Sequence, residues 1–243
     1  MIHVVGLGPG EARQTTPWAQ AALQRCDVLV GYDGYIDLVR ERYGDKELIS
    51  TPMRQETERC RLALELARGG RDVALVCSGD PGVYGMAGLM LEVAQGSGVE
   101  VEVIPGVTAA TAAAAALGAP LMHDFAVISL SDLMTPWEKI ARRLEAAAQA
   151  DFVLCLYNPR SHKRADHLRI ACDTVMRHRP PKTPCGWVRN IGRDGQTTAI
   201  LTLAELAGAQ VDMFTTVLIG NSETTILDGR LVTPRGYAQR TRP

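Results

Sequence analysis

Three strand candidates, the apolar runs 2–7 and 72–77 and the segment 99–104, each end in a glycine-bearing turn and then give way to a helical pattern. The turns are Gly6-Leu7-Gly8-Pro9-Gly10, Ser78-Gly79-Asp80-Pro81-Gly82-Val83-Tyr84-Gly85-Met86 and Pro105-Gly106-Val107-Thr108-Ala109-Ala110. Parallel neighbours need a crossover, so buried strands that alternate with helices build a parallel sheet. Glycine at a strand end lets backbone come close to a ligand or to another turn. Ligands of open α/β sheets sit at the carboxyl ends of the strands, which makes these turns the first candidates for a binding site.

The alternation runs through most of the chain. Thr16-Pro17 has the residues of an N-cap and a first helical position. A short strand is expected at 27–31, a helix at 54–68 stopped by Gly69-Gly70, a helix at 86–95 and an Ala-rich helix at 108–117. Gly118-Ala119-Pro120 breaks the pattern and is the expected linker between domains 1–118 and 119–243. Beyond it come strand 125–130 and Thr135-Pro136-Trp137-Glu138, a capping-box spacing that would open helix 136–149. Strand 151–157 is continuously apolar, as in a sheet covered on both faces. A helix over 161–178 is followed by strands near 185–190, 197–202, 214–220 and 226–232, with a short helix at 203–207. That ending predicts more antiparallel pairing in the second half. The fold class is α/β, with two unlike α/β domains.

Charge narrows the partners. The 243 residues carry 26 Lys and Arg against 27 Asp and Glu, a formal net charge of −1. No global field recruits nucleic acid or an anionic membrane, so neither is an expected partner. No apolar run reaches a bilayer-spanning length. Met1-Ile2-His3-Val4-Val5 enters a strand directly and lacks the regions of a signal peptide, so a cytoplasmic location is expected. The six cysteines include no C-x-x-C pair, which points away from a zinc or disulfide framework, and no metal is expected.

The first turn superficially matches a dinucleotide fingerprint. The third glycine of that motif would fall at Glu11, and the expected acid should end the second strand, whereas Asp27 precedes it. Pro9 also removes a backbone donor from any pyrophosphate cradle. Asp80 is the lone charge of the second turn and fits either a ligand acceptor or a helix N-cap. Thr108 reads most simply as an N-cap, and two such turns after neighbouring strands would converge on one crevice. Arg160, His162, Lys163 and Arg164 follow strand 151–157, and cations at a helix start oppose the helix dipole, which makes an anionic ligand attractive there. Arg189, Arg193 and Arg235 lie in further loops. Arginine suits carboxylates through bidentate hydrogen bonds. His123 and Asp132 flank strand 125–130, where either could act as an acid or base.

Taken together, these motifs resemble the tetrapyrrole methylase family, S-adenosylmethionine enzymes with two unlike α/β domains, over essentially the whole chain. Longer runs, Asp124 to Asp132, Tyr157-Asn158-Pro159-Arg160-Ser161 and Thr233-Pro234-Arg235-Gly236-Tyr237, are similar to members that methylate carbon 17 of a precorrin in cobalamin biosynthesis, with contraction of the ring. Those runs argue against other family activities, such as diphthine synthesis or rRNA ribose methylation. The resemblance implies a cofactor cleft between the domains and a homodimer. It implies cofactor contacts from Gly8, Pro9, Ser78, Gly79, Asp80, Val83, Thr108, Ala109, Asn158 and Asn190, with S-adenosylhomocysteine as the product. A carboxylate-rich tetrapyrrole substrate would account for Arg160, Lys163, Arg164 and Arg235. Ring contraction benefits from a base that removes a hydroxyl proton, and Asp132 and His123 are the candidates.

Overall fold

The computed structural model describes residues 1–161 and 164–237. The chain divides into two compact units, Met1–Ala109 and Ala110–Pro243. The division therefore falls at Ala109 rather than at the Gly118-Ala119-Pro120 break.

The first unit contains β1 (Ile2–Gly6), α1 (Pro17–Arg25), β2 (Val28–Tyr32), α2 (Asp33–Tyr43), β3 (Glu47–Thr51), α3 (Glu56–Arg68), β4 (Val73–Cys77), α4 (Ala87–Ala94) and β5 (Val101–Ile104). Its strands form one parallel sheet in the order β3-β2-β4-β1-β5. Strand side chains alternate between faces. Ile2, Val4, Val28, Val30, Val73 and Leu75 pack with Cys60, Ala63 and Leu64 of α3 and with Met90 of α4. Val5, Leu29, Ala74 and Val76 point the other way, onto Leu23 of α1 and Ile36 and Val39 of α2. Burial on both faces explains why β1 and β4 read as unbroken apolar runs. The α1 start follows its sequence: Thr16 accepts from Ala19 N at 3.1 Å and Pro17 takes the first helical position.

The second unit opens with α5 (Ala109–Leu117), whose first residue closes the first unit, and β6 (Gly118–Ala119). It continues with β7 (Phe125–Ser129), α6 (Trp137–Gln149), β8 (Val153–Tyr157), α7 (His167–Met176), β9 (Pro184–Arg189), β10 (Thr197–Thr202), α8 (Leu203–Ala207), β11 (Thr215–Ile219), β12 (Thr225–Leu227) and β13 (Arg230–Val232). The main sheet runs β10-β9-β11-β8-β7, with only β7–β8 parallel, as the ending of the sequence suggested. Ile140 and Leu144 of α6, Leu168 and Cys172 of α7 and Leu203 and Leu206 of α8 pack against Leu154, Leu156, Val217 and Ile219 of this sheet.

Three expectations are corrected. The box at Thr135–Glu138 does not form, because α6 begins at Trp137 and Pro136, in an extended conformation, takes the cap position without a side-chain bond. The capping box of this unit is Thr202–Glu205, at the start of α8. The helix expected from residue 161 begins only at His167, so Arg160 and Arg164 lie on a loop before it and do not oppose its dipole. The strand expected over 226–232 is a hairpin turning at Asp228 (φ 48°) and Gly229 (φ 73°), which suits a tight turn with two left-handed residues.

Candidate functional site

In the first unit the three glycine turns leave β1, β4 and β5, which are neighbours in the sheet, and their backbones meet. Gly8 and Gly79 exchange hydrogen bonds, Gly79 N to Gly8 O at 2.8 Å and Gly8 N to Gly79 O at 3.2 Å. A Cβ added at Gly106 would stand 2.2 Å from Gly79 O and 2.9 Å from Gly6 Cα, and one at Gly6 would stand 2.6 Å from Gly106 N. No side chain fits at this junction, so glycine is required there by backbone packing. Gly8 and Gly79 also need it for their left-handed conformation, at φ 77° and 70°.

Asp80 locks the junction. Its Oδ1 accepts from Gly82 N at 2.8 Å and its Oδ2 from Gly106 N at 3.0 Å. It is not the cap of α4, whose cap position is Met86. The carboxylate has lone pairs beyond these two bonds and remains half-buried, so it can accept from a ligand as well. Pro9 is buried, Ser78, Val83, Thr108 and Ala109 are half-buried, and Tyr84 is held at φ 53° with its ring 60% exposed. Sequence reasoning missed Arg59 of α3. Only 3% exposed, it donates to Thr51 Oγ1 at 2.7 Å, to Pro52 O at 3.0 Å and to Met86 Sδ at 3.8 Å, and so fastens the end of the Asp80 turn to β3.

In the second unit the polar groups gather differently. Asn158 and Asn190 both adopt left-handed backbone, at φ 52° and 51°. Asn158 donates to Ser129 Oγ at 3.0 Å, which ties the ends of β7 and β8 together. Tyr157 accepts from Ala110 N at 2.7 Å through its hydroxyl, satisfying an amide in the first turn of α5. Asp132 faces Arg164 at 3.7 Å and His167 at 3.8 Å. Arg160 donates to Gln210 at 2.5 Å, and Arg235 is exposed with Met122 O at 3.5 Å. His123 stands 3.5 Å from Glu223, so among the described contacts it is not joined to Asp132. Lys163 lies outside the described residues. The sequence brought Asp132 and Arg164 into view separately, but nothing in it signalled His167 as their neighbour.

Two other features are set apart from these clusters. His3, wholly buried at the amino ends of the first sheet, bonds Glu102 at 2.7 Å and Asp72 at 2.9 Å, with Cys26 near enough that His3, Cys26 and Asp72 present three potential ligand atoms within 4.8 Å of one another. Arg25 Nη2 lies 3.0 Å from His3 Nε2 and its Nε 3.6 Å from Asp72 Oδ2, so a guanidinium already faces the Asp72 carboxylate. A cavity of about 650 Å³ in the second unit, between the end of α5, β10 and Arg230, contains none of the expected site residues. All six cysteines are free and buried, and burial pushes the thiols of Cys26, Cys77 and Cys172 up to about 12 and that of Cys60 to about 11, so none serves as a thiolate. Among the described residues no helix is long and apolar enough to cross a membrane.

Known proteins share this arrangement. The family profile of tetrapyrrole (corrin/porphyrin) methylases matches residues 1–207. A probable cobalt-factor III C(17)-methyltransferase of Salmonella typhimurium is 49% identical over 239 residues, covering 98% of this chain and 99% of that protein. The chain spans about half the length of other curated relatives, 45% of one and 53% of another. The crystal structure of the methyltransferase CobJ superposes with a TM-score of 0.89 at 38% identity, covering 96% of this chain and 99% of that one. A uroporphyrin-III C-methyl transferase of Thermus thermophilus, complexed with S-adenyl homocysteine, superposes with a TM-score of 0.71 at 26% identity over 90% of this chain and 96% of that one. A profile match through most of both units, together with relatives alike from end to end, makes this chain a member of the tetrapyrrole methylase family.

Proposed function

We propose that this protein is an S-adenosylmethionine-dependent C-methyltransferase that methylates carbon 17 of a precorrin-3-type tetrapyrrole, with associated ring contraction, in cobalamin biosynthesis. The observation that carries the cofactor assignment is the Gly6–Gly79–Gly106 junction with Asp80 bridging it. Its donor set fits a compact zwitterion better than a pyrophosphate. The three turns hold no lysine or arginine, Pro9 lacks an amide donor, and the one ionised side chain is an acceptor. The name of the Salmonella relative supports the substrate class and favours its cobalt-bearing form.

When bound, S-adenosylmethionine supplies a methyl group from a sulfonium centre and leaves as S-adenosylhomocysteine. Asp80, half-buried beside backbone carbonyls, offers acceptors for the hydroxyl or amino protons of such a molecule. Gly8, Pro9, Ser78, Gly79, Val83, Thr108 and Ala109 shape the surface it would lie on, and Asn158 and Asn190 of the second unit are proposed as further contacts. Arg160, Arg164 and Arg235 are proposed substrate contacts, together with Lys163, which lies outside the described residues. Fixing two reactants in line is worth about 7–11 kcal/mol of effective molarity, so positioning by these residues needs little help from acid–base groups in methyl transfer itself. The protein is proposed to act in the cytoplasm as a homodimer, which light scattering on the purified chain tests.

Calorimetric titration with S-adenosylmethionine, NAD and ATP tests the cofactor, and tight binding of NAD alone overturns the reading. Incubation with methyl-labelled cofactor and precorrin-3B, with and without cobalt, followed by mass analysis of the product, tests the substrate. Label in a ring-contracted, C17-methylated product is expected.

A further inference from the structure

At the carboxyl ends of β7 and β8, Asp132, Arg164 and His167 form a titratable cluster whose hydrogen bonds leave one nitrogen unassigned. His167 Nδ1 lies 2.9 Å from Leu130 O. A carbonyl oxygen can only accept, so Nδ1 carries a proton and, in the neutral ring, Nε2 carries the lone pair. Nε2 stands 3.8 Å from Asp132 Oδ2, too far for a direct hydrogen bond. The ring is held in place by Trp137, whose centroid lies 4.3 Å away. Arg164 approaches the other carboxylate oxygen at 3.7 Å. Its Nε is buried without a hydrogen-bond partner among the described residues. Asp132, His167 and Arg164 are the only charged or titratable groups paired within this cluster among the described residues.

The cluster is open on one side. The Asp132 side chain is 38% exposed and that of His167 15%. Asp132 is followed by Leu133 and Met134, which are 62% and 95% exposed. Two large apolar side chains standing in solvent beside a half-open polar pair suit a ligand that is both broad and apolar on its face and polar at its edge.

We infer that His167 Nε2 is the proton acceptor for a hydroxyl of the tetrapyrrole substrate during ring contraction, and that Asp132 is a positioning residue that stabilises the imidazolium formed. This rests on the methyltransferase reading above and adds a residue to it. A hydroxyl oxygen about 2.8 Å from Nε2 is within hydrogen-bond reach. Its O–H bond breaks, the proton bonds to Nε2, and the oxygen's electron pair forms a carbonyl as a ring C–C bond on the same carbon shifts to the neighbouring ring carbon, from which a C–O bond to a substrate carboxylate breaks and carries off the displaced electron pair. The positive charge then carried by the ring lies close to the Asp132 carboxylate, whose Oδ2 is 3.8 Å from Nε2. Asp132 thus supports the base rather than serving as the base itself.

The test uses the full chain with S-adenosylmethionine and the precorrin substrate, measuring S-adenosylhomocysteine release and ring-contracted product separately. In the wild type the ratio of contracted to merely methylated product is expected to fall in acid. For His167→Ala we expect that ratio to fall about 100-fold, to lose this pH dependence, and to recover when free imidazole is added. For Asp132→Asn we expect a smaller fall that imidazole does not restore. Calorimetric binding of S-adenosylmethionine and a thermal melt establish that each variant is folded, and His167→Gln provides a second variant if His167→Ala melts early. A folded His167 variant with an unchanged ratio overturns the inference. So does a fall that imidazole leaves in place together with an intact pH limb. Absence of S-adenosylhomocysteine release from the wild type overturns instead the methyltransferase reading itself.

Discussion

The two units build their polar clusters from different material. In the first, backbone does the work: three glycine turns touch one another and a single carboxylate is held by two amides, Gly82 N and Gly106 N. In the second, side chains from separate elements face each other across 3.5–3.8 Å, as in Asp132 with Arg164 and His167, and His123 with Glu223. A backbone junction tolerates almost no added atom, because neither partner has a rotamer to change. A side-chain cluster tolerates substitution structurally and loses chemistry instead. The difference predicts where mutations will unfold or empty a site and where they will only silence it.

The largest effect belongs to the junction. Gly106→Ala places a Cβ 2.2 Å from Gly79 O, and both groups are main chain. The turns must separate, at a cost of about 1–3 kcal/mol or more, and calorimetry is expected to show binding of S-adenosylmethionine weakened at least a hundredfold. Gly88→Ala, on the exposed side of α4 with nothing within 4 Å of the added Cβ, is expected to raise stability by about 0.5–1 kcal/mol through helix propensity. If the two variants bind the cofactor equally well, the backbone account of the site is wrong.

Much of that junction was legible in the sequence. A glycine forced by a left-handed conformation or a close approach cannot be replaced, so it stays visible just past the end of a strand, as at Gly8, Gly79 and Gly106. The two-faced burial of β1 and β4 was visible for a similar reason. What escaped notice lacked such local necessity. β3 is an edge strand with Glu47, Ser50 and Thr51 facing partly outward, and α2 buries only Ile36, Val39 and Tyr43, so neither gives a strong periodic pattern. His167 becomes a neighbour of Asp132 only because β7 and α7 meet in space, which no spacing encodes. The Thr135–Glu138 box had the correct letters and the wrong register, set by where α6 packs.

Next in size is the carboxylate of the junction. Asp80→Asn keeps one acceptor oxygen but turns an amide toward an N–H that now has no acceptor. With this carboxylate partly in solvent, the loss is expected to be about 1–2 kcal/mol, or a melting temperature lower by about 2–8 °C, with at least tenfold weaker cofactor binding. An Asp80→Asn protein that melts and binds like the wild type would remove Asp80 from the account of both fold and site.

The second unit offers a pH test. His178 and Arg177 both hydrogen-bond the exposed Glu145, and these bonds, His178 first, hold its carboxyl below the usual glutamate range. A folded-state value lower than the unfolded one contributes stability above the unfolded value and loses it as pH falls through the folded one. Glu145→Gln is therefore expected to lower the melting temperature slightly near neutrality, with the gap to the wild type closing in acid. A gap that widens in acid would contradict the assignment. Because the group is exposed, salt should shrink the effect as well.

The smallest contrast sets two similar sequences against each other within one unit. Thr202 Oγ1 accepts from Glu205 N at 3.3 Å, while the Glu205 carboxylate accepts from Thr202 N and from the Thr202 hydroxyl, each at 2.8 Å. Thr135 sits one residue too early to do the same for α6. Denaturant unfolding of Thr202→Ala is expected to show a loss of about 1 kcal/mol, the ordinary value of an N-cap threonine. Thr135→Ala should stay within about 0.5 kcal/mol of the wild type, as surface changes usually do. The backbone and hydroxyl bonds from Thr202 also hold the Glu205 carboxyl below its usual range. The box then stabilises α8 at neutral pH and weakens as acid protonates Glu205, so the penalty of Thr202→Ala should shrink in acid while Thr135→Ala remains flat. Equal penalties at the two threonines would mean that the start of α6 is capped after all, and that register, rather than residue type, had been misjudged.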